Sequence, residues 1–237
     1  MPTTSPTTAW IKAGLVALPL YGLILGFTTL KPQPDQVADP EGWARFVSST
    51  SYLVEHIASS VVGPVLVIFG TLALGALLAN SRAPRLAVWG TVLAVAGQIL
   101  FMVPGTISTF ATPAIGAGYL RGNREVMALE FSPVLTLITG VALLLAVSGN
   151  TILGLATWRA GVLPKWAAVI WIAATVIFYV LGAFLGMATT GASLPTQPVG
   201  ALLMTASSAW IAWTVLRQRP AQALTEHLDL NPTLKGI

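Results

Sequence analysis

Charged residues interrupt this chain only at wide intervals, and six apolar runs lie between them: Trp10 to Leu30, Tyr52 to Leu78, Leu86 to Pro104, Phe131 to Thr157, Trp166 to Thr189, and Pro198 to Arg217. A hydrocarbon core of about 30 Å needs about 20 helical residues, and each run supplies about that length. The runs are uniformly apolar and too long for the alternating strands of a membrane barrel. The pattern predicts an all-α integral membrane protein with six transmembrane helices. Residues 1–217 read as one membrane domain and 218–237 as a polar cytoplasmic tail. No Lys or Arg precedes Trp10, and the first run exceeds a signal-peptide core, so it reads as a retained span.

The connections differ in kind. Asn80 to Arg85 and Trp158 to Lys165 are short, basic and contain Pro, whereas Lys31 to Ser51 and Gly105 to Glu130 are longer. In the first long connection, Asp39-Pro40-Glu41 places a capping residue before a Pro at the first helical position. Trp43, Phe46 and Val47 then share a face, which suits a short interfacial helix. In the other, Gly122-Asn123 ends a turn and Arg124 to Phe131 reads as the start of the fourth helix, outside the membrane. The second and fourth runs exceed what a bilayer needs. Counting about 20 residues from their inner ends sets the outer boundary near Ser59 and Ile138.

Charge sets the expected orientation. With the N-terminus inside, Lys12, Arg82, Arg85, Arg159, Lys165, Arg217, Arg219 and Lys235 are cytoplasmic, against Lys31, Arg45, Arg121 and Arg124 outside. Eight against four favours an N-in, C-in topology. The outer loops also carry Asp35, Asp39, Glu41, Glu125 and Glu130. A weak internal repeat is visible. Gly70 and Gly75 share an offset with Gly149 and Gly154, and residues 84–89 resemble 164–169, which would match spans two and three to spans four and five.

Composition narrows the chemistry. Of 237 residues 55% are hydrophobic and 8% charged, far from the quarter usual in a soluble domain. There is no Cys, which excludes disulfides and thiolate metal sites. The two His residues, His56 and His227, exclude a three-His zinc site within one chain. The net charge of +4 sits in loops beside apolar runs, which fits membrane orientation and not nucleic acid. No P-loop, HExxH, GxSxG or aspartate-rich motif is present.

The candidate chemistry gathers at the outer ends of the spans. Glu55 and His56 head a polar stripe that continues one turn later in Ser59 and Ser60, and Pro64 leaves the Ser60 carbonyl without its helical donor. Either Glu55 donates protons from a desolvating site with His56 as its partner, or both are wet groups at the interface. Gln98, Tyr179, Ser132, Thr136 and Thr139 lie in the outer halves of their spans. They either converge with Glu55 and Glu130 on a cavity or act as scattered interhelical glue. Arg121 and Arg124 are placed to pair with Glu125, Glu130 or Glu55. Gly22 with Gly26, and Gly182 with Gly186, form GxxxG faces that permit close helix approach and a homodimer.

The stretch Pro40-Glu41-Gly42-Trp43-Ala44-Arg45, following the first span, resembles the corresponding stretch of styrene oxide isomerases, which are small four-span membrane enzymes. In that family a His just after this stretch ligates ferric haem b, whose iron acts on an epoxide as a Lewis acid. The resemblance implies haem-dependent isomerisation. The family's ligand position falls on Val47 here, and His56 lies nine residues further on. This chain also has two more spans.

The expectation is therefore a multi-pass protein of the cell membrane, of bacterial inner-membrane type. Its partners would be membrane lipid and a lipophilic small molecule held in an outward-facing cavity. As an isomerase or cyclase it would use Glu55 and His56 as catalytic residues, with Ser59, Gln98, Glu130 and Tyr179 against the substrate. The alternatives are a non-catalytic lipid-binding or accessory subunit, and a small transporter.

Overall fold

Proline and capping residues decide where the helices begin. A Pro at the first helical position loses only an N–H that would be unpaired there anyway. Pro40, Pro84 and Pro133 start helices in this way in the computed structural model, which describes residues 6–129, 132–190 and 193–217. The elements are α1 (Pro6–Thr28), α2 (Pro40–Val47), α3 (Thr50–Ile57), α4 (Gly63–Ala79), α5 (Pro84–Leu120), α6 (Pro133–Ala160), α7 (Lys165–Thr175), α8 (Leu185–Thr190) and α9 (Thr196–Arg217). Two π-helical stretches, Ala58–Val62 and Val176–Phe184, join α3 to α4 and α7 to α8 without a break. No strand occurs among the described residues. Glu130, His227 and the 218–237 tail lie outside the described residues.

Six helices are long and apolar enough to cross a membrane, counting α3 with α4 and α7 with its π stretch as single rods. Each rod packs on the next in sequence, and α1 closes the circle against α9. The inward faces are lined by Leu15, Leu18, Leu74, Leu78, Leu153, Trp171 and Ile211. Outward faces carry exposed Phe27, Phe69, Leu137, Leu144 and Leu202, as a lipid-facing surface does. The α4–α5 and α6–α7 loops, the start of α1 and the end of α9 make one end of the bundle, the basic end. The α1–α2 and α5–α6 connections make the other, the cavity end.

Two expectations about boundaries are corrected. The third run does not stop at Pro104: α5 continues for 37 residues through Pro104 and Pro113. Proline removes a helical hydrogen bond, so such a continuation needs compensation from neighbours. The prolines leave the Leu100 and Thr109 carbonyls without helical donors, and the extension is held from outside instead: Tyr52 donates to the Ser108 carbonyl at 3.1 Å, and Ile115 and Tyr119 pack over Trp43, Ala44 and Val47. The apolar face of α2 thus lies against protein. The fourth long helix does not begin at Arg124 either. Arg124–Ala128 is a separate 3-10 turn, and α6 starts at Pro133 behind Ser132, whose hydroxyl accepts from the Val134 N–H. A residue before Pro disfavours helical backbone, which explains the break.

The tightest pairing, α5 on α6, uses no GxxxG. A Cβ at Gly97 would lie 2.4 Å from the Ala146 nitrogen, and one at Gly149 2.2 Å from the Ala94 nitrogen. The close approach expected of Gly22 is made within the chain, where a Cβ would meet Thr205 of α9 at 2.4 Å. The repeat glycines take matching places. Gly70 and Gly149 face the preceding rod, at Leu18 and Ala94, while Gly75 and Gly154 face the following one, at Thr91 and Ile172.

Candidate functional site

Most hydroxyls in the spans are satisfied locally. Thr139, Thr157, Thr175 and Ser208 each donate to a carbonyl one turn back. Ser132 and Thr136 are exposed. None of the polar residues of α6 joins a site, so that part of the expected convergence is absent.

The remaining polar residues do converge. Glu55, His56 and Ser59 come together with Gln98 of α5 and Tyr179 of the second π stretch around a cavity of about 190 Å³. Lys31, Tyr21 and Gln197, which sequence reasoning did not single out, line it too. Both π stretches of the chain contribute wall, through Ser59 and Ser60 on one side and Phe178 and Tyr179 on the other. Widened turns of this kind occur mostly as local insertions in α-helices and are frequent at functional sites.

The first π stretch has a cause in the sequence. Pro64 has no N–H for the Ser60 carbonyl, and the helix answers by widening just before it. Gly63 then leaves room for the Tyr21 ring, which a Cβ would meet at 3.2 Å. The second stretch contains no Pro. There α9 presses close, since a Cβ at Gly200 would lie 2.6 Å from the Phe178 nitrogen and one at Gly182 2.8 Å from Gln197.

The floor of the cavity is buried and uncharged. Tyr21, Gln98 and Tyr179 are all at most 6% exposed. All three side chains line the same space. Each lies on a different rod, so α1, α5 and the second π stretch meet around the space.

The mouth carries the charge. Lys31 donates to Glu55 at 3.0 Å, with the Glu55 side chain 14% exposed and that of Lys31 60%. Glu55 thus faces Lys31 where its polar stripe meets the rim. Arg121 and Arg124 form no ion pair among the described residues, while Arg45 pairs with Glu41 one turn away. Lys31 stands on a strap between α1 and α2 whose shape is set by Asp35. The Asp35 carboxylate accepts from Val37 and Ala38 N–H at 2.7 and 2.9 Å. The Ala38 N–H first, then that of Val37, holds the exposed Asp35 carboxyl below its usual value.

His56 is oriented by its own helix. Its Nδ1 lies 3.1 Å from the Tyr52 carbonyl, and its ring stacks on Tyr52 at 3.7 Å between centroids. A carbonyl only accepts, so Nδ1 carries the proton and neutral His56 keeps its lone pair on Nε2. Ser59 donates to the Glu55 carbonyl at 2.9 Å, so its hydroxyl proton is committed to its own helix.

These residues do not form a haem slot. At about 190 Å³ the cavity has no room for a macrocycle of haem's size, and Tyr52 covers one face of His56. Val47 is fully buried against α5, where a Cβ at Gly116 would lie 2.5 Å from it. No group of three or more His, Cys, Asp or Glu suited to a metal occurs among the described residues. No protein-family model, curated protein or solved structure matches the chain.

Proposed function

We propose that this polytopic membrane protein binds a small amphiphilic molecule in the cavity between its helices, opening toward the outer face. The observation that supports this best is the convergence of both π stretches on one space, with a buried Tyr21–Gln98–Tyr179 floor beneath it. Elsewhere the polar groups of the spans are taken up directly, as in Thr157 and Thr175 by their own backbones and in Ser207 by the Ala167 carbonyl of a neighbouring rod. Here three rods instead aim polar groups at a common void. At about 1.5 Å per residue, Gln98 stands about 13 Å above Trp89 near the basic end of α5, roughly mid-depth in a bilayer. The ligand's polar part then meets the mouth and floor, and its apolar part the Leu25 and Phe101 walls.

Mass spectrometry of protein released from its native membranes tests this. A retained small molecule should accompany the unaltered chain and fall at least tenfold in Gln98→Leu. That substitution keeps the volume in an apolar rod, so the thermal midpoint should barely move. Equal retention in both proteins, or none in either, ends the reading.

One observation favours a catalytic version. The fixed proton on Nδ1 of His56 leaves Nε2 as a base at the cavity wall, which a proton-transfer isomerisation needs. In that version the base is His56, with Glu55 as the charge that fixes the mouth.

A further inference from the structure

The two charges at the mouth are not equivalent. The Glu55 carboxylate is 14% exposed, whereas its Lys31 partner is 60% exposed and reaches in from the strap. A ligand inside the cavity therefore meets a carboxylate held by the helix wall, and the ammonium comes from the rim. Glu55 is the one carboxylate among the described residues lining the space. The other walls are unusually aromatic, with Tyr21, Phe46, His56, Phe101, Phe178 and Tyr179 contributing. Aromatic faces carry negative potential and attract organic cations, most of all where water is excluded. The floor adds only neutral groups, so nothing deeper in the cavity would oppose a positive ligand.

Resting on the reading of this cavity as a ligand site, we propose that its ligand class is a small organic cation, an amine or quaternary ammonium with an apolar body. Its charge takes the place of the Lys31 ammonium against Glu55, and its apolar body lies among Phe46, Phe101 and Phe178. Lys31 is then a tethered stand-in for the ligand. It keeps the carboxylate paired when the cavity is empty, and it competes with the cation from a strap shaped by Asp35. An anionic ligand fits less well, because its charge would have to sit beside Glu55 while Lys31, the one cation among the described lining residues, faces solvent.

The test is calorimetric titration of the full chain in lipid nanodiscs with three probes of similar size: benzyltrimethylammonium, neutral 3-phenylpropanamide and anionic 3-phenylpropionate. The expected order is cation first, by at least tenfold. Glu55→Gln should weaken the cation at least tenfold and leave the neutral probe unchanged. Lys31→Met should strengthen the cation about two- to fivefold, because an exposed competing ion pair is weak. These opposite shifts separate a binding effect from misfolding, which would weaken every probe in both variants. Equal binding of cation and neutral probe, indifferent to Glu55→Gln, overturns the cation class and leaves the ligand cavity standing. Tighter binding of the anion, weakened by Lys31→Met, does the same. Binding of none of the three overturns both.

Discussion

At the scale of single residues, Asp35 governs a site it does not touch. Its two backbone hydrogen bonds shape the strap that brings Lys31 over Glu55. Because its folded-state carboxyl is held low, the turn it stabilises is fully present above the unfolded value of about 3.9. That contribution is lost as pH falls through the lower folded value. Hydrogen exchange at the Val37 and Ala38 amides should therefore stay protected down to the ordinary aspartate range and speed up only below it. Asp35→Ala should remove the protection at every pH. Protection unchanged in that variant would show that the strap holds its shape by other contacts.

The same scale shows what was legible. Glu55, His56 and Ser59 share one stripe of one helix, and Gln98 and Tyr179 are polar groups in otherwise apolar runs, so all five stand out in the sequence and all five line the cavity. Tyr21 and Lys31 did not stand out. Tyr21 becomes part of the site only when α1 closes the ring, and Lys31 only through the fold of the strap. Local pattern encodes neither event. The polar residues of α6 misled for the opposite reason: their spacing matched the others, but their helix turns them away.

At the scale of elements, small residues decide which rods touch. Along α5 and α6, Gly90, Ala94 and Gly97 meet Ala142, Ala146, Gly149 and Leu153 backbone to backbone. Without water between helices, van der Waals fit must carry this association. A methyl at Gly97 has nowhere to go, so Gly97→Ala should destabilise by about 1 to 3 kcal/mol. Gly140, on the same α6, has nothing within 4 Å of an added Cβ, and Gly140→Ala should be neutral or stabilising by up to about 1 kcal/mol. Thermal unfolding of the two variants side by side reads the difference, and an equal loss in both would refute the zipper. The run lengths announced the six rods, but not the extension of α5. Pro104 and Pro113 argue locally for an end, and only the packing of α2 on the far side reverses that.

For the whole molecule, the distribution of tryptophan fixes a plane. Trp10, Trp89, Trp158, Trp166, Trp210 and Trp213 are all exposed, and all lie toward the basic end of their rods. The other two, Trp43 and Trp171, are buried. Exposed indoles favour the headgroup level, so this ring marks one membrane surface. Cations strengthen the assignment, since Lys165 stands over Trp158 at 5.9 Å and Arg217 over Trp213 at 3.9 Å. The cavity end carries four basic residues, Lys31, Arg45, Arg121 and Arg124, against six described toward the basic end, Lys12, Arg82, Arg85, Arg159, Lys165 and Arg217. The larger number of Lys and Arg at the basic end predicts that this surface faces the cytoplasm. The absence of native Cys makes a clean test possible. Val37→Cys, 91% exposed on the strap, should react with a membrane-impermeant maleimide in intact cells. Asn80→Cys, exposed in the α4–α5 loop, should react only after permeabilisation. The reverse labelling would turn the molecule over, and the cavity would then draw its ligand from the cytoplasm, where Lys31 would compete with a different pool of cations.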